Sequence, residues 1–136
     1  MYLAGPMTGY ENFNIPAFKT AKEELEKQGF EIVLPYDIEN TEQSGWTWGD
    51  YLAEDIRIIC NDCMGMVLLP EWERSRGAKL ELAAGLMQAL KYPEFEFYEY
   101  WPQLKVEYRL KKRNALIMAG AWFDEWDTYS KEAKNA

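Results

Sequence analysis

The sequence predicts an α/β fold in which a parallel sheet is flanked by helices. Short apolar runs that are typical of strands alternate with longer segments whose apolar residues recur at helical spacing. The run at residues 64–69 is almost entirely apolar, as in strands that are covered on both faces. Such alternation favours parallel strands joined by right-handed crossovers. We therefore expect one domain over residues 1–136, with a core at residues 1–100 and a C-terminal extension at residues 101–136 that holds one or two helices.

Capping residues and turn formers mark where the helices begin and end. Pro16 suits the first position of a helix, and Gly29 is a typical C-terminal stop. Thr47 and Asp50 have the spacing of a capping box, with aspartate in place of glutamate. In chain order, the predicted elements are a strand at 2–4, a helix from 16 to 29, a strand at 30–34, a loop at 36–45, a helix that starts at 47, a strand at 64–69, a helix at 78–91 and a strand at 94–100 that can lie at the edge of the sheet.

The spacing of apolar residues predicts which face of each helix is buried. Residues three or four positions apart lie on one side of a helix, and that side is expected to pack on the sheet. The predicted buried faces are Phe18, Ala21 and Leu25 in the first helix, Tyr51, Leu52, Ile56 and Ile59 in the second, and Leu80, Ala83, Ala84, Met87 and Leu90 in the third.

The composition excludes several classes of function. The net charge of −8 argues against binding a nucleic acid polymer, because phosphates require a basic surface. No apolar run approaches the roughly 20 residues of a membrane-spanning helix. We therefore expect no membrane partner and a cytoplasmic location. The chain has no histidine, which excludes Ser-His-Asp and Cys-His nucleophilic schemes and leaves proton transfer to carboxylates, tyrosine, lysine or cysteine.

The two cysteines predict neither a metal site nor redox chemistry. Cys60 and Cys63 form a C-x-x-C pair, but no histidine or further cysteine completes a set of four zinc ligands. The pair follows a predicted helix, whereas redox cysteines stand at a helix N-terminus. We expect two buried, reduced thiols, and no metal or cofactor.

Several polar residues are predicted at the crevice beyond the carboxyl ends of the strands, where open parallel sheets bind ligands. Gly5–Gly9 follows the first strand and is either a tight turn or a cradle of backbone amides for an anion. Ser75 and Gly77 stand at a helix start, where Ser75 is either an N-cap or a ligand. Glu81 and Asp55 each flank an apolar face, so each is either a solvated surface group or a partly buried group at the crevice.

Two tryptophans precede or open the helix that carries Asp55. Trp46 and Trp48 are expected to be core or lid aromatics. An aromatic side chain beside a cleft can also stack on a nucleobase, and Trp48 is the candidate for that contact.

Four stretches of the sequence together resemble a known family. They are "YLAGPMTG" at the start, "NIPAF" opening the first helix, "DI" at residues 55–56, and "VLLPEWERSRGAKLELAAGL" where the third strand joins its helix. Residues 2–91 resemble the nucleoside 2-deoxyribosyltransferase-like superfamily, and more narrowly a phage and bacterial group in it that is known as a domain of unknown function. The resemblance implies a Rossmann-like or flavodoxin-like fold, a homodimer or higher homo-oligomer, and a location in the cytosol of a bacterium or of a phage-infected host.

The resemblance also implies an activity, cleavage of the N-glycosidic bond of a deoxynucleoside or its 5′-monophosphate by hydrolysis or deoxyribosyl transfer. The family nucleophile matches Glu81, its proton donor to the leaving base matches Asp55, and the tyrosine that orients the nucleophile matches Tyr2. Members that take monophosphates bind phosphate with the glycine-rich loop and with a serine that matches Ser75, where members that take free nucleosides carry an acidic residue. The residues expected to bind substrate are Gly5, Pro6, Met7, Thr8, Gly9, Trp48, Ser75 and Gly77.

The two carboxyl groups need different protonation states for these tasks. We expect the pKa of Asp55 to be raised, so that it donates a proton, while Glu81 stays ionised. Family members often take a residue from the neighbouring subunit, and Asn114 is our candidate for it. Two alternatives remain open: a non-catalytic protein that uses the same pocket to sense or sequester a nucleotide-derived signal, and a structural partner protein with an exposed aromatic surface.

Overall fold

A computed structural model describes residues 1–40 and 45–124, and its centre is a four-stranded sheet in the order β1-β2-β3-β4. The first three strands are parallel and β4 is antiparallel to β3. The strands are β1 (Tyr2–Ala4), β2 (Gly65–Leu68), β3 (Glu96–Tyr100) and β4 (Leu110–Arg113), and the helices are α1 (Ile15–Lys27), α2 (Tyr36–Glu39), α3 (Trp48–Asp62), α4 (Arg76–Lys91) and a C-terminal helix at residues 115–124.

The α/β fold with a parallel sheet and flanking helices is confirmed. A parallel bridge between Tyr2 and Val33 adds the segment after α1 to the free side of β1. Including that segment, the spatial order is 33-β1-β2-β3-β4, the doubly wound arrangement in which the crevice lies beyond the carboxyl ends of β1 and β2. No helix in the described part of the chain is both long enough and apolar enough to cross a membrane.

The strand expected at residues 30–34 is wrong in extent, because only Val33 pairs with the sheet. Its backbone N–H donates to Met1 O at 2.8 Å, and its carbonyl accepts from Leu3 N at 2.9 Å. The neighbouring carbonyl of Ile32 accepts instead from Lys22 Nζ at 3.0 Å, and that of Glu31 accepts from the Met1 ammonium at 2.8 Å. These partners replace a longer ladder of backbone hydrogen bonds.

The structure corrects two other expectations, one for the loop before α3 and one for the C-terminal extension. The loop expected at 36–45 contains α2, and its residues 41–44 lie outside the described residues. β3 is present but is not at the edge, because β4 pairs with it in the C-terminal extension, where only helices were expected. Opposite charges face each other across this pair, with Lys112 Nζ 3.3 Å from Glu96 and Arg113 Nε 3.6 Å from Glu99. Residues 125–136 of the extension lie outside the described part.

The helix ends follow the sequence signals. Thr47 and Asp50 form the predicted capping box, in which the Thr47 N–H donates to the Asp50 carboxylate at 2.8 Å and the Asp50 N–H donates to Thr47 Oγ1 at 3.1 Å. Gly29 has a φ of +97°, the left-handed conformation that suits glycine after a helix. Of the two cysteines, Cys63 is buried as expected, whereas Cys60 is exposed and corrects the expectation of two buried thiols.

The buried faces of α3 and α4 differ from those that the apolar spacing predicts, although that of α1 is confirmed. In α4 the sheet-facing residues include Ala78, Leu82 and Gly85, while Leu80 and Met87 are exposed. A Cβ built on Gly85 would lie 2.4 Å from Met66 Sδ, so the smallest side of α4 faces the sheet. Leu80, Met87 and Leu90 of the predicted face therefore point outwards. The homodimer implied by the resemblance stays a prediction.

The buried face of α3 is also rotated relative to the predicted one. Its buried residues are Asp55, Ile58 and Ile59, so only Ile59 of the predicted face is buried. The rotation brings a carboxyl group towards the interior, where apolar periodicity would place a hydrophobic residue.

Substitution of Gly85 by alanine should destabilise the fold by about 1–3 kcal/mol, because the added methyl overpacks the contact with the buried Met66. Chemical denaturation measures the change. Gly120→Ala is the matched control, since nothing lies within 4 Å of a Cβ at that helical position and alanine should stabilise it by up to about 1 kcal/mol. Equal effects of the two substitutions would contradict the close approach of α4 to the sheet.

Candidate active site

A cavity of about 490 Å³ opens at the crevice beyond β1 and β2. The loop after β1 forms one wall, the N-terminal turn of α4 forms a second, and the segment at Pro35–Asp37 with the first half of α3 forms a third. All three walls follow or flank strand ends at the same edge of the sheet, as the parallel topology requires. This cavity brings together most of the residues that the sequence analysis singled out.

Three buried ionisable side chains meet at the inner end of the cavity. The hydroxyl of Tyr2, on β1, donates a hydrogen bond to the Glu81 carboxylate on α4. Asp55 on α3 accepts a hydrogen bond from the backbone N–H of Tyr36 at 2.7 Å. Glu81 and Asp55 are only 5% and 6% exposed, and Tyr2 is fully buried. The interpretation of Glu81 and Asp55 as solvated surface groups is therefore wrong.

Burial shifts the protonation of this cluster. Desolvation raises the pKa of Asp55 to about 7, although the Tyr36 N–H and the Tyr2 hydroxyl favour its charged form. The raised pKa expected for Asp55 is confirmed. Desolvation and the nearby Asp55 charge also raise the pKa of Glu81 well above its ordinary value, against a lowering contribution from Tyr2. This shift runs against the expectation that Glu81 stays ionised, because two buried carboxyl groups in one low-dielectric site favour keeping one proton between them.

A third carboxyl group, which the sequence analysis missed, lines the same cavity. Asp37 belongs to α2, and its Oδ1 atom is buried with no hydrogen-bond partner among the described residues. Desolvation raises its pKa, and its charge in turn raises the pKa of Asp55 and of Glu81. Its position in the sequence could have indicated this placement, since Asp37 lies four residues after Val33, the residue that pairs with β1.

The glycine-rich loop after β1 combines both roles that the sequence left open. A Cβ on Gly5 would lie 2.8 Å from Leu69 Cβ, so Gly5 permits close packing at the strand end. Gly9 has a φ of +86° and turns the chain, and it does not line the cavity. Met7 and Thr8 line the cavity, and their N–H groups make no hydrogen bond within residues 1–40 and 45–124. The loop is a structural turn that also leaves free donors at the cavity.

The start of α4 forms the opposite wall. Ser75 Oγ accepts from the Ala78 N–H at 3.1 Å, so Ser75 is the N-cap of α4 and also lines the cavity. A Cβ on Gly77 would meet nothing nearer than Ser75 Oγ at 3.8 Å, which leaves the backbone of this turn open to a ligand. The Gly77 N–H makes no hydrogen bond within residues 1–40 and 45–124, and with the positive end of the helix dipole it favours an anion at this wall.

Arginines accompany the acidic residues next to this wall. Arg74 lines the cavity and pairs with Glu71 at 3.0 Å, and the Tyr10 hydroxyl donates to the same carboxylate at 2.7 Å. Arg76 lines the cavity as well. The negative charge of Glu71 is thus offset locally.

The two tryptophans behave differently. Trp48 lines the cavity and is 58% exposed, so one of its faces can meet a ligand. Trp46 stacks on Tyr36 with ring centroids 5.1 Å apart. Asn114, the candidate contribution from a neighbouring subunit, accepts from the Ile117 N–H at 2.8 Å and caps the C-terminal helix. Within the described residues, no group of three or more His, Cys, Asp or Glu side chains is arranged to hold a metal ion.

The raised pKa of Asp55 predicts a pH-dependent cost to stability. The folded state binds a proton more tightly than the unfolded state, so the cost of the buried charge is absent near pH 4 and complete above pH 7. The free energy of unfolding of Asp55→Asn, taken relative to that of the parent protein, should therefore rise by about 2–4 kcal/mol from pH 4.5 to pH 8. Urea denaturation at both pH values measures the difference, with Asp62→Asn, which removes a half-exposed carboxyl from the same helix, as the control.

An Asp55→Asn stability difference that is the same at both pH values would contradict the buried position of this carboxyl group.

A comparison with protein-family models places this geometry in a family. The model of a domain of unknown function, DUF4406, matches residues 1–92, which is 92 of the 136 residues. No curated protein and no solved structure matches the chain. The matched range contains Tyr2, Asp55 and Glu81 and all the walls of the cavity, and it ends before β3. This chain belongs to the DUF4406 family.

Proposed function

We propose that this protein cleaves the N-glycosidic bond of a deoxynucleoside 5′-monophosphate, with water or a second base as the acceptor. The observation that carries the proposal is the buried set of Tyr2, Asp55 and Glu81 at the inner end of a cavity whose outer walls offer free backbone donors. The choice of a deoxynucleotide rests on the sequence resemblance. The cytoplasmic location stays a prediction.

In the first step the C1′–N bond of the substrate breaks and its electron pair stays with the base. Asp55 transfers its proton to the base, which leaves as a neutral molecule, and a Glu81 oxygen forms a bond to C1′. Tyr2 holds the reacting carboxylate by its hydroxyl. Such proton transfer contributes about 10²–10⁴-fold to a rate.

In the second step an acceptor displaces Glu81. A water molecule attacks C1′, the C1′–O bond to Glu81 breaks with its electron pair, and ionised Asp55 takes the proton of the water. The products are the sugar phosphate and a regenerated carboxylate pair. If the N–H of a second base replaces the water, the same two residues complete a deoxyribosyl transfer.

The protonation of the cluster suits this sequence of steps. The raised pKa of Asp55 keeps a proton in the site near neutral pH, where a general acid needs one. Positive charge that develops on the sugar ring favours the ionised form of the nearest carboxylate, which lowers the pKa of Glu81 as the base departs. In the proposed reaction, the proton that Asp55 and Glu81 share is therefore carried by Asp55, the residue next to the leaving base.

The outer walls of the cavity suit a 5′-phosphate. The Met7 and Thr8 N–H groups lack partners in the described part of the chain, and the Gly77 N–H beside Ser75 at the start of α4 adds a third donor. Together these groups form an anion site of the kind found at helix N-termini.

Substitution of Glu81 by alanine or glutamine should reduce turnover by about 10³-fold or more, because the nucleophile is removed. Release of free base from a panel of deoxynucleoside 5′-monophosphates, followed by chromatography, measures turnover. Glu94→Gln removes an exposed glutamate just after α4 and should leave the rate unchanged.

Unchanged turnover in Glu81→Ala would refute this assignment. Tight nucleotide binding with no turnover by the parent protein would instead support the alternative of a non-catalytic nucleotide-binding protein.

Ser75→Asp should separate the capping role of Ser75 from its role towards phosphate. Aspartate caps a helix as well as serine does, so α4 should keep its stability, which thermal unfolding checks. Its charge repels a phosphate, and kcat/KM for the 5′-monophosphate should fall about 10–100-fold while that for the free nucleoside changes little. Ser75→Thr retains a neutral cap and is the control. An equal loss for both substrates would place the phosphate elsewhere.

A further inference from the structure

Among the cavity-lining carboxyl groups of residues 1–40 and 45–124, Asp37 is the one to which the proposed steps assign no task. Its side chain lines the cavity, and its Oδ1 atom is buried without a hydrogen-bond donor among the residues that the structure describes. Asp55, by contrast, accepts from the Tyr36 N–H. A buried acceptor without a donor is destabilising, and each such group in a folded protein calls for an explanation.

The topology places Asp37 across the crevice from the phosphate walls. The Val33 segment pairs with β1 on the side opposite β2, and Asp37 follows that segment directly. The turn of α4 that begins at Ser75 follows β2 and so lies on the other side of β1. Tyr2 and Glu81 lie between them, next to β1.

A nucleotide that spans this crevice has one orientation in which its phosphate, sugar and base each meet the part of the cavity that suits them. With its phosphate at the start of α4 and its C1′ at Glu81, its base extends towards Asp55 and Asp37. Trp48 and Tyr51 line the same part of the cavity and offer aromatic faces to a base. Asp37 then meets the edge of the base, while Asp55 meets the atom that is protonated.

We propose that Asp37 selects a leaving base with an exocyclic amino group, which means cytosine, adenine or guanine. This inference rests on the proposed function. The Asp37 carboxylate, whose Oδ1 has no donor within residues 1–40 and 45–124, accepts a hydrogen bond from that amino group. In uracil and thymine a carbonyl oxygen takes the place of the amino group of cytosine. Two acceptors then face each other in a buried site, and a site built to hydrogen-bond one group discriminates strongly against its replacement.

Matched pairs of nucleotides test this selection. We expect kcat/KM to be at least about 10-fold higher for dCMP than for dUMP, or for dAMP or dGMP than for dIMP, because each pair differs by an amino group. Asp37→Asn presents a donor as well as an acceptor, and the amide should pair with a carbonyl and an adjacent N–H. The preference should fall at least about 10-fold or invert. Glu39→Gln makes the same change in charge at an exposed position of α2 and should leave the preference intact.

Binding measurements separate this inference from the activity itself. The same pairs are titrated by calorimetry against Glu81→Gln, which needs no turnover. An amino preference in binding that Asp37→Asn removes supports the role of Asp37, even if no nucleotide is cleaved and the proposed function fails. Equal affinities within each pair, a preference that survives Asp37→Asn, or no binding of any nucleotide would overturn it.

Discussion

The hydrogen bond between the Tyr2 hydroxyl and the Glu81 carboxylate connects the middle of the sheet to α4 across 79 residues of sequence. A carboxyl group as deeply buried as Glu81 is costly unless it is protonated or hydrogen-bonded. Tyr2 supplies the hydrogen bond, and Asp55 supplies a neighbour with which a proton can be shared. The position of α4, and with it the wall that begins at Ser75, depends on this contact being made.

On the two sides of this buried contact, groups of different chemistry line the cavity. Towards α4 and the loop after β1 it offers backbone donors and arginines, which suit an anion. Towards α2 and α3 it offers carboxyl groups and aromatic rings, which suit N–H donors and a flat π-system. Glu81 lies where these two regions meet. A ligand that is acidic at one end and a hydrogen-bonding heterocycle at the other fits this division, and a nucleotide has that form.

Sequence reasoning succeeded where a local signal determines the structure, and it failed where distant contacts do. The capping box at Thr47 needs only four residues, and it was predicted correctly. The outward face of α4 depends on how closely Gly85 approaches Met66, which no local pattern encodes. β4 forms a backbone ladder with β3 and brings its cations near the carboxylates of β3, a pairing between segments that no local pattern relates. Glu81 and Asp55 were found by resemblance, whereas Asp37 lay in a stretch that resembled only a loop.

The small side of α4 has a consequence for the chemistry as well as for packing. Gly85 lies one helical turn beyond Glu81 and sets the gap between the helix axis and the sheet. A wider gap would draw the Glu81 carboxylate away from the hydroxyl that orients it, with no change in any group that touches a ligand. The separation of these two layers is therefore itself a component of the proposed reactive centre, and it is set by a residue that has no functional group.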